Sequence, residues 1–196
     1  MREAGGRMPE TAARHGPGRP RRLRRPVVLV GMMGSGKTAV GTVLADRLRV
    51  PFRDTDDAIE AAARMTIAEI FARDGEPFFR AREAEVLRRL LGEGPGIVST
   101  GGGAFVQEAN RAAIAGNGVS IWLKASPDIL WSRVRGRPGR PLLRAADPRA
   151  VLETLLAERE PDYAQADITV EAAPHSTIAD MVDRVIANLE DHGELT

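Results

Sequence analysis

Hydrophobic positions gather in short, evenly spaced clusters from Pro26 onward, and none reaches the roughly 20 residues a membrane span requires. Val27-Val28-Leu29-Val30 is an unbroken apolar run of strand length; it enters a glycine-rich turn, and a helix is expected through about Leu48. A short second strand is expected over 50–54. Thr66-Ile67-Ala68-Glu69 has the spacing of a capping box and predicts a helix start, with a second helix over roughly 78–91. Gly96-Ile97-Val98-Ser99 reads as a third strand running into Gly101-Gly102-Gly103, and Val119-Ser120-Ile121-Trp122-Leu123 as a fourth. Ser126-Pro127 and Asp147-Pro148 each put a capping side chain before a proline at the first helical position. The second of these helices should run to about residue 160. Ile168-Thr169-Val170 is a fifth strand, and residues 176–189 form a closing amphipathic helix.

Strands separated by helices imply right-handed crossovers and a parallel sheet buried on both faces. The expected fold class is therefore α/β: one three-layer α/β/α domain over 26–196 with a five-stranded parallel sheet. Two segments fall outside this pattern. Residues 1–25 carry eight arginines against two glutamates, with many Gly and Pro and no apolar period, and read as a disordered basic extension. Residues 136–147 are rich in Arg, Pro and Gly without a core-facing pattern, and read as a mobile surface segment.

Composition narrows the chemistry. The 196 residues contain no cysteine, which excludes disulfides, thiol catalysis and cysteine-bound zinc, and fits a reducing compartment. Three scattered histidines make a His-rich metal site a poor fit, so a hard cation on oxygen ligands is the expectation. A net charge of +1 gives no general attraction to nucleic acid or membrane, and neither is expected as a partner. A soluble cytoplasmic protein is expected. Basic residues are nearly all arginine; Lys37 and Lys124 are the exceptions.

Lys37 lies in Gly31-Met32-Met33-Gly34-Ser35-Gly36-Lys37-Thr38, a complete G-x-x-x-x-G-K-[ST] phosphate loop between an expected strand and an expected helix. Glycines let successive N–H groups point inward, and the helix N-terminus adds positive potential at the same place. Lys37 would neutralise β- and γ-phosphates, and Thr38 would offer an oxygen to Mg²⁺. ATP and Mg²⁺ are the expected cofactors, with Gly34, Ser35, Gly36, Lys37, Thr38 and Ala39 at the nucleotide.

The later apolar strands end in glycines or in Lys124, so neither supplies the acid that switch GTPases and motor ATPases place there. The carboxylates follow the second strand instead, in Asp54-Thr55-Asp56. Alternation along an extended chain would send Asp54 and Asp56 to one side, toward the phosphate loop. Taken alone, the pair reads equally well as a helix cap. Arg80 precedes Glu83 by three residues and shares its helix face; Arg140 lies in Arg140-Pro141-Leu142-Leu143, and Arg159 shortly precedes Pro161-Asp162-Tyr163.

This ordered set (phosphate loop, D-x-D, F-R-x-x-E, G-G-G, R-P-L-L, then an Arg before a Tyr-containing stretch) resembles the shikimate kinases, from Pro26 to about Leu189. The resemblance implies a P-loop kinase fold with a lid at about 136–147. It implies transfer of phosphate from ATP to the 3-hydroxyl of shikimate, a step toward chorismate and the aromatic amino acids. It makes Thr38 and Asp54 the metal-side residues, Asp56 the residue that orients the substrate hydroxyl, and Lys37, Asp56 and Arg140 the catalytic set. Arg80 and Arg159 would grip the substrate carboxylate with Glu83 in support, and Gly101, Gly102 and Gly103 would line the pocket. Arg133 would pack on adenine and Arg140 would reach the phosphates from the lid. After the last strand the chain reads Glu171-Ala172-Ala173-Pro174-His175, without the arginine often found there, which leaves the second adenine contact open. The family also implies a monomer. Rival readings are another small-molecule kinase, such as a gluconate or nucleoside-monophosphate kinase, and a regulatory nucleotide-binding module without catalysis.

Overall fold

The computed structural model describes residues 21–135 and 146–196. Five parallel strands run β1 (Val27–Val30), β2 (Phe52–Asp54), β3 (Ile97–Ser99), β4 (Val119–Lys124) and β5 (Ile168–Glu171), in the spatial order β2-β3-β1-β4-β5. Every residue of β1 is buried, as expected of a central strand covered by helices on both faces; β5, at an edge, alternates buried and exposed. Helices α1 (Lys37–Leu48), α2 (Thr55–Ala63), α3 (Ile67–Gly92), α4 (Glu108–Asn117), α5 (Pro127–Val134), α6 (Pro148–Tyr163) and α7 (Ile178–Asp191) complete the layers. The core is continuous through Leu29, Leu44, Leu87, Ile97, Ile121, Leu130, Val182 and Leu189.

The five expected strands are present, and four helix starts are capped as their sequences require. Thr66 and Glu69 form a reciprocal capping box, and Ser126 and Asp147 accept from the backbone N–H of Ile129 and Ala150. Thr177 and Asp180 make a second box at α7. The two helices expected around 66–91 meet at Gly75, whose φ of 78° no helical residue adopts, with Pro77 restarting the second half.

Three expectations need correction. Helices α2 and α4 were not expected. Each buries a single large aliphatic residue, Ile59 in α2 and Ile114 in α4, so neither carries the apolar stripe that announces a helix. Asp56 is not on extended chain: β2 ends at Asp54, which caps α2, and Asp56 stands in its first turn. The basic extension was expected to reach residue 25, yet Arg22 exchanges backbone hydrogen bonds with Thr196, and Leu23, buried, pairs with Leu195. Arg21 pairs with Glu190 and Arg25 with Glu194. Residues 1–20 lie outside the described residues, as do 136–145 of the expected lid, including Arg140.

Candidate active site

In a parallel sheet wound in two directions, ligands bind beyond the carboxyl ends of the strands, where neighbouring connections diverge. Here β1 leads into the phosphate loop, β2 into Asp54 and β3 into Thr100–Gly103, so three chemically distinct segments converge on one edge. They open on one cleft of about 1070 Å³. Its lining includes Gly34 to Ala39, Asp54, Asp56, Arg80, Glu83, Gly101 to Gly103, Arg133 and Arg159, which are all the expected site residues among those described.

The phosphate loop has the backbone its sequence demands. Gly34 and Gly36 adopt φ of 82° and 99°, the left-handed region that side chains resist. The Lys37 ammonium, almost wholly buried, donates to the carbonyls of Gly31 at 2.8 Å and Met32 at 3.1 Å, which holds its charge inside the curl of the loop. Arg133, from α5, donates to the carbonyls of Gly34 and Ser35 at 3.3 and 3.4 Å. The hydroxyl of Ser35 is buried in the loop without a protein partner.

At the start of α1 the Thr38 hydroxyl donates to Asp54 Oδ2 at 3.2 Å, while Asp54 Oδ1 accepts the backbone N–H of Asp56 at 3.0 Å. The helix-cap reading of Asp54 and its place at the phosphate loop are thus both true: one oxygen serves each. Asp56 Oδ1 is buried with no hydrogen-bond partner. Burial first, then the charges of Asp54 and Glu83, push its carboxyl up to about 6, against the opposing pull of Lys37.

Each glycine of the triplet lies against a charged side chain. A Cβ on Gly101 would stand 2.9 Å from Asp56 Oδ1 and 3.1 Å from Glu83 Oε1; one on Gly103 would stand 2.6 Å from an Arg80 nitrogen. One on Gly102 would lie 3.6 Å from Arg159 Nη1. Hydrogens at these positions let two carboxylates and two guanidiniums close around a small space. Glu83 is fully buried and is held by Arg80 at 2.8 Å; burial raises its carboxyl above the ordinary range although Arg80 and Arg159 oppose this. Glu76 accepts from the other edge of Arg80 at 3.1 and 3.2 Å.

Several residues of the cleft escaped sequence reasoning. Ile67, Phe71 and Phe79 form an apolar wall beside Arg80, with the two phenyl rings 4.6 Å apart. The Phe78-Phe79 pair before Arg80 was the available signal, but nothing in a sequence says which of two phenylalanines turns inward. Thr177, beyond the last strand, also faces the cleft, as do its neighbours Ser176 and Ile178.

A triphosphate cradle opening directly onto a pocket of this size defines a class, the P-loop phosphotransferases that act on small molecules. The shikimate kinase family model matches residues 33–190. A shikimate kinase of Ruegeria pomeroyi is 58% identical over 85% of this chain and 86% of that one. A solved shikimate kinase from Acinetobacter baumannii, in complex with shikimate, has a TM-score of 0.82 at 34% identity, covering 86% of this chain and 94% of that one. A gluconokinase from Sinorhizobium meliloti shares the fold at a TM-score of 0.56 and 22% identity, over 88% of this chain and 95% of that one. The chain belongs to the shikimate kinase family.

Proposed function

We propose that this cleft transfers the γ-phosphoryl group of ATP to the 3-hydroxyl of shikimate, giving 3-phosphoshikimate and ADP. One observation supports it above the others: an unpartnered, buried Asp56 oxygen lies between the phosphate loop and a pocket flanked by Arg80 and Arg159. A substrate with a carboxylate at one end and a hydroxyl at the other fits that polarity. Gluconate offers a similar pair of groups on a flexible chain, but the ring of shikimate suits the apolar wall of Phe71 and Phe79 and the side-chain-free surface of Gly101–Gly103.

Phosphoryl transfer depends on alignment and charge neutralisation more than on covalent chemistry. Gly34, Ser35, Gly36 and Ala39 would hold the phosphates with their backbone N–H groups at the start of α1. Lys37 would neutralise the β- and γ-oxygens. Arg133 would lie against adenine, and Arg140 would reach the phosphates from its segment. Thr38 and Asp54 present two hard oxygens 3.2 Å apart, and among the described residues no cluster of three or more acidic, His or Cys ligands exists. This donor set suits Mg²⁺, which keeps most of its ligands as water and phosphate oxygen. Held by Thr38 and Asp54, the metal would offset the negative charge of the phosphates.

Arg80 and Arg159 would bind the carboxylate, with Glu83 fixing Arg80. Asp56 would accept the hydrogen bond of the attacking hydroxyl, turn its lone pair toward the γ-phosphorus and take its proton as the bond to ADP breaks. With a carboxyl titrating at about 6, Asp56 is mostly ionised at neutral pH and still basic enough to receive a proton. The family resemblance, rather than the site, is what supports reading the enzyme as a cytoplasmic monomer.

The direct test is Arg159→Ala. Loss of a charged hydrogen bond should weaken shikimate binding by about 1.5–3 kcal/mol while leaving ATP binding within twofold, both read by calorimetric titration. Equal weakening of both ligands would remove Arg159 from the acid pocket.

A further inference from the structure

Tyr163 is the largest fully buried side chain among the described residues, and its hydroxyl is engaged. It donates to the carbonyl of Gly102, the middle glycine of the triplet. A hydroxyl has one hydrogen and two lone pairs, so with the hydrogen committed to Gly102 the oxygen can only accept elsewhere. The nearby donor is the Arg159 guanidinium, whose Nη1 lies 3.6 Å from where a Cβ on the same Gly102 would stand. Arg159 and Tyr163 are four residues apart on α6 and therefore share a face. The ring is fixed in turn by Trp122 of β4, stacked at a centroid distance of 6.0 Å, and the hydroxyl stands 4.0 Å from the sulfur of Met32 in the phosphate loop.

We propose that Tyr163 is a positioning residue for the acid pocket: its hydroxyl sets the guanidinium of Arg159 against the Gly102 carbonyl, fixing where the substrate carboxylate docks. The proposal rests on the assignment of Arg159 to that carboxylate. Three constraints meet at one atom. The ring cannot shift because Trp122 covers it, the hydroxyl cannot rotate away without orphaning the Gly102 carbonyl, and Arg159 thereby loses a rotamer search that would otherwise cost binding energy. Burial raises the phenol above its ordinary range although Arg159 pulls the other way, so the group stays protonated and donating throughout the neutral range.

Tyr163→Phe keeps the ring and removes one oxygen. With Arg159→Lys and the double variant, it separates positioning from packing. Steady-state kinetics on the full chain should show the KM for shikimate raised about three- to tenfold in Tyr163→Phe, with the KM for ATP within twofold. The double variant should be no worse than Arg159→Lys alone, because both substitutions remove one shared interaction. A lowered thermal midpoint with both KM values unchanged would make the hydroxyl a stability device and overturn the proposal. Multiplying effects in the double variant would overturn it too. A raised KM in Arg159→Lys beside an unchanged one in Tyr163→Phe defeats the proposal alone. An unchanged shikimate KM in Arg159→Lys defeats the assignment of Arg159 and the proposal with it.

Discussion

Asp56 concentrates the chemistry at the residue scale. Its carboxyl is raised to about 6 by burial and by Asp54 and Glu83, so the native chain holds a proton there that the unfolded chain, at about 3.8, has already released. Stability should therefore fall as pH climbs from about 4 to 6, and the deficit should persist above that. Turnover should do the opposite, rising through pH 6 as Asp56 ionises. Asp56→Asn should lose at least about a hundredfold in kcat, flatten that rise, and gain on the order of 1 kcal/mol of stability at pH 8 after allowance for the solvent reaching the group. A pH–rate series with urea unfolding of both forms checks the pair of effects. The phosphate-loop residues, aspartates, arginines and glycines that line the described cleft were legible in the sequence because their motifs have fixed spacing, whereas the apolar wall of Ile67, Phe71 and Phe79 was not. The reason given for Asp56 was not legible either: extended-chain alternation and the first turn of a helix both bring positions 54 and 56 to one side, and only coordinates tell them apart. Tyr163 was equally hidden, since its partners are a backbone carbonyl and a ring from other elements.

At the scale of elements, α1 carries the phosphate loop and must pack close to the sheet for Lys37 and Thr38 to reach the cleft. Gly41 makes that approach possible: a Cβ there would stand 2.6 Å from the Phe52 ring and 3.1 Å from Leu29. Gly41→Ala gains up to about 1 kcal/mol of helix propensity and loses roughly 1–3 kcal/mol to overpacking. The second term should win, giving a net loss of about 1–2 kcal/mol in chemical denaturation. The KM for ATP should rise as α1 is pushed outward. The strands were legible because unbroken or alternating apolar runs survive any tertiary context. Helices α2 and α4 were not, because each buries a single large aliphatic residue and otherwise packs against α3.

Over the whole molecule, the two ends of the described chain are joined. Leu23 pairs with Leu195, Arg22 with Thr196 and Arg25 with Glu194, which closes the chain beside α7. Leu23 alone accounts for about 1.5–3 kcal/mol of apolar burial, while the exposed ion pairs add little. A chain starting at residue 26 should melt about 5 °C below one starting at residue 21, as read by differential scanning calorimetry. Equal midpoints would deny the tie any energetic role. This contact was invisible in sequence, where one leucine among arginines has no periodic neighbour and its partner lies 172 positions away. At this scale too, the described helices include none long and apolar enough to cross a membrane.

The central claim is that the cleft delivers phosphate to shikimate in preference to other small acceptors. The most direct measurement is kcat/KM from ADP release with ATP and Mg²⁺ against shikimate, gluconate and AMP in turn. At least about a hundredfold preference for shikimate is expected, since a pocket built for a charged and hydrogen-bonded acceptor rejects one that leaves its groups unpaired. Comparable or faster turnover of gluconate or AMP, or ADP release indifferent to the acceptor, would contradict it.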